Sequence, residues 1–226
     1  MKLWGRRSEP EDSGPIDPEA VRLRSKTEIE RLGGRVIDWL PLCEITSPRD
    51  AGALAGRMLV LNALANLARE APVEAIRDYI ASEGLETALT PFERRLLAKE
   101  TDELTSQEII NASWYDEAIY ALAWAGGLMP DLPIEQPHPR ELLDVLPNVE
   151  QGQSGHSVVR RVKLRPYAEL FGMRDLYYRA HWYTRDGGLN SYDTGVFDGG
   201  RVMERRKALE WLLDATTLWD EIELHT

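Results

Sequence analysis

Residues Thr105–Met129, TSQEIINASWYDEAIYALAWAGGLM, decide the fold class of this chain. Thr105 and Glu108 have the spacing of a capping box, in which each side chain takes an orphan backbone amide of the first turn. About five and a half turns of mostly good helix formers follow. Gly126 and Gly127 then supply a left-handed stop, and Pro130 prevents the helix from resuming. At a helical period, Ile110, Trp114, Ala118, Ala121, Leu122 and Ala125 share one face, with Ala112, Ile119 and Ala123 opposite. Only a thin strip near Ser113 and Asp116 asks for water. A helix apolar nearly all round is a buried one. The expectation is therefore one continuous central helix inside an all-α domain.

The flanks read the same way. Toward the N-terminus, Asp17 caps a helix with Pro18 at its first position, running to about Leu32 and stopping at Gly33-Gly34. Val36 to Leu40 can be extended, but Pro41 and Pro48 leave room for only a short strand. Ser47-Pro48 opens a second helix to about Glu70, with Ala51, Leu54, Met58, Leu61, Ala65 and Ala68 along one face. A third helix covers Val73 to Ser82, and Thr90-Pro91-Phe92-Glu93 is a further capping box with proline in the first turn. Toward the C-terminus, Pro130 to Pro147 is proline-rich around one short helix, Arg140 to Leu146. Residues 148–157 read as a surface loop. Pro166 starts a helix that Gly172 is expected to interrupt and Gly187-Gly188 to end, and the last helix spans Arg201 to Asp214. The fold class is all-α: a single irregular helical domain, 18–226, with long loops, preceded by a flexible tail, 1–17, that carries lone Trp4.

Composition narrows the function classes. The 226 residues are 43% hydrophobic with seven tryptophans, which is enough to build a core. A net charge of −11 argues against general nucleic-acid binding and against an anionic membrane surface, and suits a basic protein partner. The N-terminus has no apolar stretch behind its basic residues, and no run of the ~20 apolar residues of a membrane span is evident. A cytoplasmic location is expected. Cys43 stands alone, so neither an intramolecular disulfide nor a cysteine metal cluster is expected.

The C-terminal pattern Glu204, Arg205, Arg206, Ala208, Leu209, Trp211, followed by Trp219-Asp220, resembles the close of a bacterial family known only as domain of unknown function number 4272. That family tends to end on Asp-Thr, where this chain has His225-Thr226. The helix around Arg57, and Glu117-Ala118 with Leu122-Ala123-Trp124-Ala125, are similar too. The likeness would span roughly Pro18 to Thr226. It implies a single domain and brings no activity with it.

The most informative charges sit where charges should not be. Glu117 lies inside the apolar arc of its helix, Arg57 sits between Leu64 and Ala68 in projection, and Arg205 shares a face with Val202, Leu209 and Leu212. Lone buried charges are too costly to keep, so pairing of Glu117 with Arg57, Arg205 or both is expected. The functional alternative is a carboxylate flanked by arginines in a pocket between helices. Trp114, Trp124, Trp182, Trp211 and Trp219 are the expected aromatic core. A basic and aromatic run, Arg160 to Arg185 with Tyr167, Tyr177, Tyr178, Trp182 and Tyr183, has two readings. It is a core stripe with arginines around it, or a surface for single-stranded nucleic acid, which the acidic total disfavours.

His138, His156, His181 and His225 have no metal-ligand spacing, and no glycine cluster fits a phosphate loop. No catalytic residue, metal or cofactor is expected. The leading functional expectation is a non-catalytic module that binds another protein, with a basic partner as its concrete form. An enzyme or small-ligand binder around Glu117, Arg57 and Arg205 stands second.

Overall fold

The computed structural model describes residues 15–226. The tail 1–17 and its Trp4 therefore lie almost entirely outside the described residues. Helix starts follow the local chemistry. Asp17 Oδ1 accepts from the Glu19 amide at 3.0 Å ahead of α1 (Pro18–Arg31), and Gly33 takes a φ of +87° just past its end. Asp50, three residues later than Ser47, caps α2 (Ala51–Ala65), which tightens into a 3₁₀ turn over Asn66–Arg69. After α3 (Val73–Ser82), both halves of the Thr90/Glu93 capping box are made ahead of α4 (Pro91–Leu97).

Thr105–Met129 is helical but not continuous. The Thr105/Glu108 box opens α5 (Ser106–Ser113), the chain turns at Trp114, and α6 (Tyr115–Ala125) follows. The break re-aims the two halves. Ile110, expected on the buried face, is 51% exposed, and Trp114 is only half-buried, its ring lying against Gly200. From Glu117 to Ala125 every residue of α6 is buried. Its four alanines let neighbours on two sides approach closely.

The remaining helices are α7 (Glu141–Val145), α8 (His156–Arg161), α9 (Tyr167–Asn190) and α10 (Gly199–Leu213), with Asp198 capping the last. α8 stands at the end of the stretch expected to be loop. α9 runs unbroken through Gly172 and on through Gly187-Gly188 to a left-handed Ser191. Gly187 is small for a packing reason: the Tyr192–Thr194 turn lies on it, and the Tyr192 amide donates to the Gly187 carbonyl at 3.1 Å. Among the described residues there is no strand, so Val36–Leu40 is irregular and not extended in a sheet.

In space the helices pack in the series α2–α6–α10–α9–α1. α2 and α6 form the centre, and α2 is buried nearly throughout from Leu54 to Ala65. The 19 residues Ala51–Arg69 are long and apolar enough to cross a membrane by composition, contrary to the first reading of the chain; here they form the inside of the bundle. Residues 41–50 belong to no helix or strand and are held by backbone bonds to the end of α10 and by side chains. The Tyr167 hydroxyl accepts from the Thr46 amide at 3.0 Å and donates to its carbonyl at 2.7 Å, while the Arg174 guanidinium donates to the Glu44 carbonyl.

Candidate functional site

The buried charges of the middle of the chain converge on one segment, Pro130 to Pro139. Arg205, fully buried on α10, donates through Nε and Nη2 to Glu117 Oε2 at 2.8 and 2.5 Å. Its other contacts are the carbonyls of Pro133 (2.6 Å) and Gln136 (2.8 Å) and the Tyr177 hydroxyl (3.0 Å). The second carboxylate oxygen of Glu117 accepts from the His138 amide at 3.2 Å and faces its ring Nδ1 at 3.1 Å. Arg201 Nη1 reaches the Ile134 carbonyl at 3.3 Å. Prolines deny this segment a helix or a ladder, so α6 and α10 supply the partners its backbone lacks.

The electrostatics agree with that geometry. Burial alone would push the Glu117 carboxyl up, but the His138 hydrogen bond and the Arg205 charge outweigh it and hold the group below the usual carboxylate range. The bond to Glu117 pushes the His138 imidazole up, against burial.

The pinned segment is one wall of a groove of about 770 Å³. α6 contributes Tyr120 and Trp124 to its floor, and α9 adds Met173 and Leu176; Met129 and Ile134 complete the apolar surface. The rim is acidic. Asp131, Glu135, Glu141 and Asp144 line it, and none of the four has an ion pair or a side-chain hydrogen bond among the described residues. The two lining arginines are already engaged. Arg31 grips Glu28 at 2.6 Å, and Glu135 feels its charge only at longer range. Arg165 stacks 4.8 Å from the Trp124 ring and donates to the Trp124, Met129 and Pro130 carbonyls. An apolar floor ringed by carboxylates that have no ion pair among the described residues can hold a ligand that is both apolar and cationic.

Of the three charges singled out in the sequence, the structure brings two together. Glu117 and Arg205 form one pair. Arg57 does not join them: it meets the buried Glu93 of α4 and stacks 4.9 Å from Trp219. Lys207 lies 5.0 Å from the same ring. Trp124, Trp211 and Trp219 are buried, with Trp211 and Trp219 edge to face at 5.7 Å, whereas Trp114 and Trp182 are only partly covered. The basic and aromatic run is divided: Arg160, Arg161, Lys163 and Arg185 are exposed, while Tyr177 and Tyr183 are buried. Arg174 and Arg179 are buried, Arg179 in a two-pronged bond to Asp175 at 2.8 and 2.9 Å. His181 is buried with Nδ1 2.7 Å from Arg206 Nη1; burial, then the charges of Arg206 and Arg185, push its imidazole down to about 4. Burial pushes the Cys43 thiol up to about 12, which leaves it a poor nucleophile. Among the described residues, no three His, Cys, Asp or Glu side chains converge to hold a metal ion.

A family model described as a domain of unknown function (DUF4272) matches residues 21–222, nearly the whole chain. The chain belongs to the DUF4272 family. No curated protein and no solved structure matches it. The match takes in every element of the DUF4272 fold described above except the first residues of α1, and it includes all the residues that line the groove. The rim carboxylates of this DUF4272 domain escaped the reading of the sequence because they are surface residues with no motif. One signal was available: between Pro130 and Pro147 four acids face a single arginine, Arg140, among regularly placed apolar residues.

Proposed function

We propose that this DUF4272 domain is a binding module whose groove takes a basic, amphipathic segment of another protein. The observation that carries the reading is the pairing of an apolar floor with four rim carboxylates that have no cation partner among the described residues. Such a groove favours apolar anchors flanked by lysine or arginine, as in helix-in-groove recognition. The methionines at 129 and 173 suit it to a side chain of more than one shape. The net charge of −11 adds long-range attraction for the same partner.

A site built from Glu117, Arg57 and Arg205 has less support. None of the three lines the groove, and each is closed on a partner. The groove's volume does fall in the range of small-molecule sites, about 300–1,000 Å³, which supports a compact organic cation as a second reading.

The test uses a designed lysine–leucine helical peptide, with a glutamate–leucine peptide as control, followed by fluorescence anisotropy. Binding of the basic peptide alone, weakened by salt and by Glu135→Lys with Asp144→Lys, is the expected result. Equal binding to the double variant would remove the groove from consideration. A thermal-shift screen of organic amines then separates the small-cation reading from the peptide one.

A further inference from the structure

The chain carries a segment of the chemistry this groove selects. Residues 1–7 read MKLWGRR: Leu3 and Trp4 are apolar anchors, and Lys2, Arg6 and Arg7 surround them with positive charge. They lie outside the described residues. We infer that this segment occupies the groove of its own chain and competes there with the outside partner. The inference rests on the groove being a site for basic amphipathic segments.

Three observations support it. The first is reach. Asp17, the cap of α1, is thirteen residue steps beyond Trp4, enough to span up to ~43 Å when extended. Glu28, on the groove's edge, lies eleven residues beyond Asp17 on the same helix, a distance of about 17 Å. The tether is therefore longer than the gap. The second is charge. Glu9, Glu11 and Asp12 follow the basic residues, so the positive charge is confined to the half of the segment that carries the anchors. The third is energetic. A short tether holds its end at an effective concentration on the order of 1 mM. A contact too weak to form between separate molecules is then still mostly formed within one. Trp and Arg are the residue types that dominate such small contacts.

The experiment uses the full chain. Zero-length carbodiimide coupling joins amines to carboxylates in contact, and an equal mixture of light and isotope-labelled protein distinguishes links within a chain from links between chains. The expected product joins Lys2 to Asp131, Glu135, Glu141 or Asp144 of the same chain, and disappears at high ionic strength. In parallel, the Leu3→Ser/Trp4→Ser variant should bind the lysine–leucine peptide about 3- to 10-fold more tightly than the unaltered protein, because a competitor at ~1 mM has been removed. Links to carboxylates elsewhere, or only between light and heavy chains, overturn the inference. So does an unchanged affinity in the variant. In those cases the peptide still binds and the groove remains a binding site. If the peptide binds neither protein, the reading of the groove fails and the inference falls with it.

Discussion

Arg205 and Glu117, 88 residues apart in the chain, meet in the interior at 2.5 Å, and the same guanidinium ties down two carbonyls of the groove wall. A buried pair of this kind is costly to break from one side, because the partner is left charged and dry. Glu117→Ala is expected to cost about 3–5 kcal/mol of stability, read by urea denaturation. The Glu117→Leu/Arg205→Met double variant should lose less than the two single changes added together, with a coupling of about 1–3 kcal/mol. Strict additivity would mean that the two side chains do not act as a unit.

His138 gives the wall a dependence on pH. Its folded pKa is raised, so its contribution is present in full below the unfolded value of about 6.5 and fades as pH rises through the folded value. His138→Gln should therefore be most destabilising below about pH 6.5, and its effect should shrink as pH rises through the folded value. A difference that grew with pH would show that the imidazole is not held by Glu117.

His181 works with the opposite sign. Its folded value is near 4, so the buried ring stays neutral and accepts from Arg206, while the unfolded chain takes up a proton below about 6.5. Stability should fall progressively between those two values, by roughly 2–3 kcal/mol by pH 4. His181→Gln should flatten that slope in a series of urea melts. An unchanged slope would place the acid sensitivity elsewhere.

Two adjacent glycines of α9 should answer oppositely to the same change. A Cβ on Gly187 would stand 2.3 Å from Thr194 Cγ2 and 3.3 Å from the Tyr192 carbonyl, whereas one on Gly188 would meet nothing within 4 Å. Overpacking costs about 1–3 kcal/mol, more than the ~1 kcal/mol that alanine gains over glycine in a helix. Gly187→Ala should lower the melting temperature and Gly188→Ala should raise it slightly. Equal effects would mean that the Tyr192–Thr194 turn moves away freely.

The legible part of this fold was local. Asp17-Pro18, Thr90 with Glu93, and Thr105 with Glu108 announce helix starts through contacts three residues long, and all three caps form. The turn at Trp114 was illegible because its φ and ψ, −81° and −15°, are themselves helical, and no proline or glycine marks it. Gly172 and Gly187 suggested breaks because glycine weakens an isolated helix; packing on α9 overrides that. Charge in an apolar arc revealed that Arg57 needed a partner, but periodicity on one helix says nothing about which element lies opposite. Glu93 supplies it from α4. The groove is harder still to foresee, since its lining comes from α1, α6, α7, α9 and the proline-rich wall.

The strap at residues 41–50 also bears on when the fold can be completed. The Arg49 amide donates to the Leu212 carbonyl, the Thr46 hydroxyl to the Leu213 carbonyl, and the Ala215 amide back to the Ser47 carbonyl, closing loops of more than 160 residues. A chain emerging from the ribosome at about 5–20 residues per second makes the strap many seconds before its partners exist. Until α10 arrives, the side of α6 that packs on it has no lasting cover, and the nascent protein depends on its surroundings to keep that side apart from other chains.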